Sequence, residues 1–183
     1  MIYLIGGAPR VGKTILSQRL CVTLKVGWIS TDLLMDLLRV ANVPGRKMKW
    51  DAAPEAIRAS AEWFFPYLER FIWGVTSLAD DYVIEGVDFL PAQVVQLSTQ
   101  YPMRAVFLGC SHMTLAGFTQ FPGRSKGYVN LPEARRRQIV EDIPRWSAFI
   151  RQEAERFGYV YVDMADDFSQ CLAEAESVLT HGS

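Results

Sequence analysis

Gly7-Ala8-Pro9-Arg10-Val11-Gly12-Lys13-Thr14 follows the pattern of a phosphate-binding loop: a glycine, any four residues, and then Gly-Lys-Thr. The apolar run at residues 2–5 precedes it and predicts a buried strand, while residues 15–25 have the composition of a helix. The pattern alone recurs by chance, but the order strand, loop, helix makes it specific. Backbone N–H groups of such a loop form a nest for anions at a helix N-terminus, so we expect this loop to bind phosphate.

The two polar residues at the end of the loop are its most informative part. Lys13 supplies a point charge for the outer phosphates of a nucleotide, and Thr14 offers a hydroxyl to Mg²⁺. The alternative is a glycine-rich turn that binds nothing, which accounts for Gly7 and Gly12 but not for the Lys-Thr pair. The residues predicted to bind nucleotide are Gly7, Ala8, Pro9, Arg10, Val11, Gly12, Lys13, Thr14 and Ile15.

The composition limits the class of protein. The chain has 183 residues, 50% of them hydrophobic and 21% charged, which predicts one compact α/β domain over residues 1–183. A net charge of −1 gives no basic bias towards duplex nucleic acid or an anionic membrane. No apolar run reaches the ~20 residues that a bilayer crossing needs. The three cysteines are far apart, which argues against a disulfide framework or a zinc site, so we expect a cytoplasmic protein.

Helix and strand signals alternate along the chain. Short apolar runs predict five strands, near residues 1–6, 26–30, 82–84, 105–108 and 159–162. Helical patterns lie at about 13–25, 32–40, 54–79, 132–157 and 167–179. We expect Pro66 to kink or divide the third of these helices and Pro144 to bend the fourth. Strands that are apolar throughout are typical of a parallel sheet with helices on both faces, whose ligand site is the carboxyl edge of the strands.

The stretches between these elements have signals of their own. Residues 42–49 form a basic loop and, with the helix that follows, a candidate acceptor-binding region at about 42–75. The glycine-rich stretch at about 113–130 predicts an irregular, lid-like loop. Asn130 and Glu133 have the spacing of a capping box for the long helix after it. The aromatic cluster at 63–73 predicts core, with some rings available to wall an acceptor pocket.

Asp32 follows the second predicted strand, at the position expected of a catalytic carboxylate. It is a candidate for the base that takes the proton of an acceptor hydroxyl as that oxygen attacks a γ-phosphate. The alternative is an acid that caps a helix or interacts with its dipole. Arg39, two turns further along the same face, is a candidate substrate contact for an anionic group. The loop residues Arg46, Lys47 and Lys49 are alternatives to it, and all of these cations could simply be solvated.

Acidic residues also follow the third predicted strand, in Tyr82-Val83-Ile84-Glu85-Gly86-Val87-Asp88. An apolar strand that ends in an acid resembles a Walker B strand, so we expect Glu85 to hold Mg²⁺ or to face the substrate. Asp88, on the same loop, is a further substrate-binding candidate. The alternative for both is a solvated acid at a strand end. His112, after the fourth strand, is best explained as a surface residue.

Cations that could stabilise a transferring phosphoryl group lie in and after the glycine-rich stretch. Arg124 and Lys126 stand between glycines, and we expect Arg124 to act as a catalytic lid cation. Lys126, or one of Arg135, Arg136 and Arg137, is the alternative, since consecutive residues of a helix cannot all face one site. A solvated basic loop would explain the same residues without a function.

The phosphate loop, Asp32 and the strand end Val83-Ile84-Glu85-Gly86-Val87 together resemble the P-loop small-molecule kinases, such as adenylate kinase, shikimate kinase and chloramphenicol phosphotransferase. Gly6-Gly7-Ala8-Pro9-Arg10-Val11-Gly12-Lys13-Thr14 and the same strand end look closest to the 2-phosphoglycerate kinase-like group. The resemblance implies a three-layer P-loop NTPase fold whose five-stranded parallel sheet has the order 2-3-1-4-5. It also implies ATP, Mg²⁺, a base at Asp32 and lid cations, for which Arg124 and Lys126 are the nearest match.

These residues favour an ATP-dependent kinase that phosphorylates a hydroxyl group of a small molecule, with Lys13, Asp32 and Arg124 as catalytic residues. The expected partners are ATP and an unidentified acceptor. The alternative is a nucleotide-binding ATPase, switch or accessory protein without an acceptor. A switch GTPase would carry Asn-Lys-x-Asp, and neither Asn42 nor Asn130 is followed by lysine. A kinase for nucleic-acid ends is a further alternative, which the acidic net charge disfavours.

Overall fold

The computed structural model describes residues 1–41, 43–44, 52–78, 80–120, 128 and 130–181. The strands are β1 (Ile2–Gly7), β2 (Gly27–Ser30), β3 (Tyr82–Glu85), β4 (Met103–Gly109) and β5 (Val160–Asp163). The described residues form one five-stranded parallel sheet in the spatial order β2-β3-β1-β4-β5. The predicted three-layer fold and strand order are therefore confirmed.

Helices cover both faces of the sheet. They are α1 (Lys13–Leu24), α2 (Thr31–Val40), α3 (Pro54–Ser77), α4 (Pro91–Ser98), α5 (Leu115–Gln120), α6 (Glu133–Phe157) and α7 (Phe168–His181). α1 and α7 pack against each other on one face, and α3, α4 and α6 form the layer on the other. The central strands are consequently buried on both sides, and their side chains make up the middle of the core. No helix in the described part of the chain has the length and apolar character that a membrane crossing requires.

The register of β3 sets the positions at the carboxyl edge of the sheet. β3 lies between β1 and β2, and its last residue, Glu85, pairs with Ile5 on one side and with Ser30 on the other. On the far side of β1, Gly7 pairs with Leu108 of β4. Because the strands are parallel, the segments that follow β1, β2 and β3 all leave from this same edge.

The aromatic cluster of α3 is only partly core. Phe64 is fully buried, whereas Trp73 is 48% exposed, so the prediction of core is wrong for that ring. The Arg70 guanidinium lies 3.8 Å from the centroid of the Trp73 ring and covers part of its surface. The partly buried rings that pack against the core are those of Trp63, Phe65, Tyr67 and Phe71.

Two helices lie where the sequence analysis predicts none. α4 begins at Pro91, and the Leu90 N–H donates to Oε1 of Gln93 at 2.8 Å, which satisfies a backbone donor at the helix start. α5 occupies part of the stretch predicted to be irregular, and its Phe118 side chain is buried. In both cases a single buried face stabilises a helix too short to give a clear periodic signal.

The predicted capping box at the start of α6 is wrong, and of the two outcomes predicted for Pro66 in α3, a kink or a division, the division does not occur. α6 begins at Glu133 after Pro132, and within the described residues no side chain caps it, so Asn130 and Glu133 form no capping box. The Glu133 carboxylate instead accepts hydrogen bonds of 2.6 and 2.9 Å from Arg137, one turn on. α3 runs through Pro66 without division because fully buried residues before and after the proline hold the helix against the core.

Gly7→Ala should destabilise the fold, since a Cβ at this position would lie 2.0 Å from the Leu108 carbonyl oxygen and φ is +131°. We expect a loss of at least about 2 kcal/mol in the free energy of unfolding from strain and overpacking, measured by urea denaturation. The matched control is Gly74→Ala within α3, where a Cβ meets nothing within 4 Å. That change should stabilise the protein by about 0.5–1 kcal/mol. Equal effects at the two sites would contradict the close packing described at Gly7.

Candidate functional site

The phosphate loop joins the end of β1 to the start of α1 in a conformation that suits an anion. Gly7 and Gly12 have φ values of 131° and 95°, in a region that side chains disfavour, and Gly12 is the N-cap of α1. The Ala8 N–H donates to the Leu108 carbonyl at 2.9 Å, which fixes the loop to β4. The loop amides therefore stand at a helix N-terminus, where the dipole attracts negative charge.

The Lys13 side chain is buried at the centre of this loop, with 6% of its surface exposed. Its Nζ donates to the carbonyl oxygens of Ala8 at 2.6 Å and Gly7 at 3.3 Å. Burial lowers the pKa of Lys13, while three nearby carboxylates act in the opposite direction. These carboxylates belong to Glu85, Asp32 and Asp88. The structure thus brings three predicted acids, from the ends of two strands, around one ammonium group.

Thr14 and Glu85 form the pair of oxygen donors beside the loop. The Thr14 Oγ1 donates to Oε1 of Glu85 at 3.0 Å, and the glutamate is 4% exposed. Within the described residues no cluster of three or more His, Cys, Asp or Glu side chains is arranged to hold a metal. A hydroxyl next to one carboxylate nevertheless fits Mg²⁺, which binds hard oxygens and commonly takes only one or two protein ligands beside water and phosphate.

Asp32 lies in the first turn of α2, two residues after the end of β2. Its carboxylate is exposed, in contrast to the buried Glu85 and Asp88. α2 has Ser30 as N-cap without a side-chain cap, so Asp32 is not the capping residue of this helix, although an acid in the first turn still suits the dipole. Asp32 is therefore the one of the three acids around Lys13 that an external molecule can reach.

Asp88 is buried and hydrogen-bonded to another residue of the protein. Its Oδ2 accepts a hydrogen bond of 2.6 Å from Oγ1 of Thr31, and the two residues are 1% and 0% exposed. Burial raises the pKa of Asp88 to about 6, and the Thr31 hydrogen bond opposes this rise. Among nearby charges, Asp32 raises the pKa of Asp88 further, while Lys13 and Arg39 lower it. No functional role is predicted for Thr31 from the sequence, although its position directly after a strand was a usable signal.

Arg10 connects the phosphate loop to the segment around α5. Its guanidinium lies 4.8 Å from the ring centroid of Phe118 and 5.3 Å from that of Tyr128, and its Nη2 donates to the Phe118 carbonyl at 3.4 Å. Burial raises the pKa of Tyr128 and Asp32 adds to the rise, while Arg10 and Arg135 oppose it. Tyr128 thus belongs to the same electrostatic environment as Asp32, which the sequence analysis does not predict.

The structure describes only some of the predicted lid and loop cations. Arg124 and Lys126, like Arg46, Lys47 and Lys49, lie outside the described residues. Arg39 forms an ion pair with Asp36 on the exposed surface of α2. Arg137 is paired with Glu133. Of the three consecutive arginines, Arg135 is the one whose charge acts on Tyr128.

A cavity of about 620 Å³ lies between the start of α3 and one face of α6. Arg135 lines this cavity together with Gln138 and Arg145 of the same helix. Its opposite wall is residues 52–54, which belong to the predicted acceptor-binding region. The α6 wall carries the Arg135 guanidinium and the ion pair between Arg145 and Asp142, and the cavity is large enough for a small molecule.

Two further residues at the carboxyl edge have structural explanations. His112 is exposed, and its carbonyl accepts a hydrogen bond from the Cys110 thiol at 3.1 Å. Asp163, at the end of β5, accepts hydrogen bonds from the N–H groups of Ser111 at 3.0 Å and Ala165 at 3.1 Å. Asp163 therefore joins the segments after β4 and β5, a role that needs no ligand.

No protein-family model matches the chain, and neither does any curated protein. Among solved structures, the chain is similar to a provisionally named kinase from Chloroflexus aurantiacus, with a TM-score of 0.55, 14% identity, and 100% of this chain and 97% of that chain covered. It is also similar to an uncharacterized protein from Eubacterium ventriosum, with a TM-score of 0.51, 14% identity and 97% of each chain covered. At such low identity, the similarity shows only that these two proteins share the fold of this chain.

Asp88→Asn should change how stability depends on pH. A carboxyl group whose pKa rises on folding stabilises the folded state below about pH 4, and this contribution is lost as pH rises through about 6. The free energy of unfolding of the wild type, relative to Asp88→Asn, should therefore fall between pH 4 and pH 7, by at most about 3 kcal/mol. Urea denaturation at both pH values measures this difference. A constant difference would mean that Asp88 ionises as readily in the folded protein as in the unfolded chain.

Proposed function

We propose that the protein is an ATP-dependent kinase that transfers the γ-phosphate to a hydroxyl group of a small molecule. The observation that carries this proposal is the exposed carboxylate of Asp32 beside the buried ammonium of Lys13 in a phosphate loop. A protein that only binds nucleotide does not require an accessible carboxylate at this position. A kinase does, because the attacking hydroxyl must lose its proton.

In this proposal the phosphate loop holds the donor. Backbone N–H groups of the loop and of the first turn of α1 bind the phosphate oxygens, and Lys13 neutralises charge on the outer phosphates. In the structure Nζ of Lys13 donates to two loop carbonyls, so it is already positioned over the loop. Burial keeps water away from this charge and strengthens its interaction with a phosphoryl group.

Thr14 and Glu85 are the residues that would hold Mg²⁺. The threonine hydroxyl and the glutamate carboxylate are already in contact, at 3.0 Å. A metal ion held there would supply positive charge that neutralises charge on the phosphates during transfer. Because Glu85 is buried at the end of β3, its carboxylate has little freedom to move, which favours a preformed site.

Asp32 acts as the general base. It accepts the proton of the acceptor hydroxyl while that oxygen forms a bond to the γ-phosphorus. The bond from phosphorus to the bridging oxygen of the β-phosphate breaks, and ADP leaves with that electron pair. Lys13 and a nearby arginine stabilise the charge on the transferring group. We propose Arg124 as that arginine, with Arg135 as the alternative whose charge acts on Tyr128 beside Asp32.

The acceptor is proposed to bind between the phosphate loop and the 42–75 region. Residues 52–54 of that region and Arg135 line the cavity between α3 and α6, and Arg39 lies on the same helix as Asp32. We further propose that residues 1–183 work as one domain in the cytoplasm, where the free thiols of the described Cys21, Cys110 and Cys171 would stay reduced. The slightly acidic net charge makes a nucleic-acid acceptor the less favoured choice.

Asp32→Asn should abolish most phosphate transfer while nucleotide still binds. We expect a loss in kcat of about 10²-fold or more, the size typical of a lost general base, with the affinity for ATP within about threefold of wild type. The assay follows label from γ-labelled Mg-ATP into a pool of small hydroxyl metabolites. Asp36→Asn, which removes an exposed charge one turn along the same helix, is the matched control and should transfer normally. Lys13→Ala should abolish transfer outright.

The same assay separates the alternatives. Release of free phosphate without a labelled organic product would indicate an ATPase or switch. Label in an added oligonucleotide would indicate a nucleic-acid kinase. Normal turnover by Asp32→Asn would contradict the assignment of the base.

Glu85→Gln should raise the Mg²⁺ concentration needed for half-maximal ATP binding by about tenfold, since a neutral amide is a weaker ligand for Mg²⁺ than a carboxylate. Loss of a residue that only supports the direct ligands of a metal already costs about 10–100-fold in affinity. Titration calorimetry of ATP at several Mg²⁺ concentrations measures the shift. The control is Glu141→Gln on the exposed side of α6. An unchanged Mg²⁺ dependence in Glu85→Gln would show that this carboxylate is not a metal ligand.

A further inference from the structure

The hydrogen bond between Thr31 and Asp88 joins two segments that leave the sheet side by side. Thr31 is the first residue of α2, and Asp88 lies in the connection between β3 and α4. The bond is 2.6 Å long and both residues are almost completely buried, so solvent does not compete for it. A hydrogen bond to a carboxylate in such surroundings is among the stronger kinds in proteins.

Thr31 is also in tight contact with the backbone of the same connection. A Cβ at Gly86 would lie 1.8 Å from Oγ1 of Thr31. The threonine therefore rests directly on the strand-end backbone beside Glu85, held from one side by packing and from the other by Asp88. Since Asp32 is the next residue in the chain, its Cα position follows from that of Thr31 to within one peptide unit.

The second carboxylate oxygen of Asp88 is the atom in this arrangement that lowers the stability of the fold. Oδ1 is buried and has no hydrogen-bond partner in the described part of the chain. An apolar residue would avoid that desolvation cost. The charged groups that face Asp88 are Lys13 from α1 and both Asp32 and Arg39 from α2. Buried polar groups that reduce stability in this way are found where function requires them.

We propose that Asp88 is a positioning residue for phosphate transfer, which acts through the Thr31 hydroxyl to fix the first turn of α2 and so the place of Asp32 beside Lys13. Asp88 then needs no contact with the acceptor, although the sequence analysis predicts it as a substrate-binding residue. The kinetic part of this inference rests on the proposed kinase function. The structural part, that the pair holds the start of α2, does not.

Two variants of Thr31 test the proposal in the full chain. Thr31→Val keeps the shape of the side chain but removes the hydroxyl, and Thr31→Ser keeps the hydroxyl. We expect kcat to fall at least about tenfold in Thr31→Val, because a small displacement of a catalytic group is enough for such a loss. The KM for ATP should stay within about twofold of wild type, and Thr31→Ser should recover kcat to within about threefold.

The double variant Thr31→Val/Asp88→Val provides a test of the proposal if Thr31→Val alone does not fold. Removing both partners leaves no buried polar group unpaired at this position, and such paired replacements are often nearly neutral in stability. The double variant should therefore fold even if Thr31→Val does not. It should still show the tenfold loss in kcat, because the link between the two segments is absent.

Amide hydrogen exchange provides a readout that does not depend on activity. In Thr31→Val and in the double variant, exchange in residues 31–35 should become about tenfold faster, while α1 stays as in wild type. Wild type that transfers phosphate to no acceptor would overturn the proposed function, and exchange would still decide whether the pair anchors α2. Unchanged exchange in both variants would overturn the anchoring. Faster exchange together with a wild-type kcat would overturn the positioning role. A kcat as low in Thr31→Ser as in Thr31→Val would overturn it too.

Discussion

The pairing of β3 with both β1 and β2 is the constraint on which the candidate site depends. This register places Glu85 opposite Ile5 and Ser30. As a result, the phosphate loop, the start of α2 and the acidic strand end leave the sheet next to one another. A shift of one residue in β3 would turn Glu85 to the opposite face of the sheet and separate it from Thr14. The site is therefore a consequence of strand order and register, and no single loop creates it.

The same edge of the sheet concentrates charge in a buried environment. Lys13 loses hydration inside the loop, and the carboxylates around it compensate in part. Two of them, Glu85 and Asp88, each accept a hydrogen bond from a threonine hydroxyl, of α1 and α2 respectively. Thr14 thus connects the start of α1 to the end of β3, and Thr31 connects the start of α2 to the segment after β3. Such an arrangement costs stability but leaves the charged groups with fixed positions, which is what electrostatic stabilisation of a reaction requires.

The parts of the fold that depend on neighbouring residues were predictable from the sequence. The phosphate loop has a backbone geometry that only a few residue types allow, and its glycines and Lys-Thr pair indicate the loop in the sequence. The apolar strands and the long helices were also predictable, because burial of one face or both leaves a periodic pattern. The strand order came from the family resemblance, since composition and periodicity do not specify which strands are neighbours.

The remainder depends on contacts between residues far apart in the chain. Thr31 and Asp88 are 57 positions apart, and Arg10 and Phe118 are 108 apart, so neither pair leaves a local signal. α4 is short, and its signal of Pro91 followed by Gln93 is easily missed. Asn130 and Glu133 match the local pattern of a capping box, but the N-cap of α6 is Pro132, two residues later than that pattern requires. Local patterns thus located the candidate residues, and tertiary contacts decided what each of them touches.

The central claim is that one site combines a phosphate loop, a metal-binding pair and an accessible base. A crystal structure with Mg²⁺ and a non-hydrolysable ATP analogue tests it most directly. We expect Nζ of Lys13 to leave the carbonyls of Gly7 and Ala8 and to bind phosphate oxygens. We also expect Thr14 to bind the metal and the Asp32 carboxylate to face the open side of the γ-phosphate. Phosphates bound away from the loop, or an Asp32 carboxylate directed away from the γ-phosphate, would contradict it.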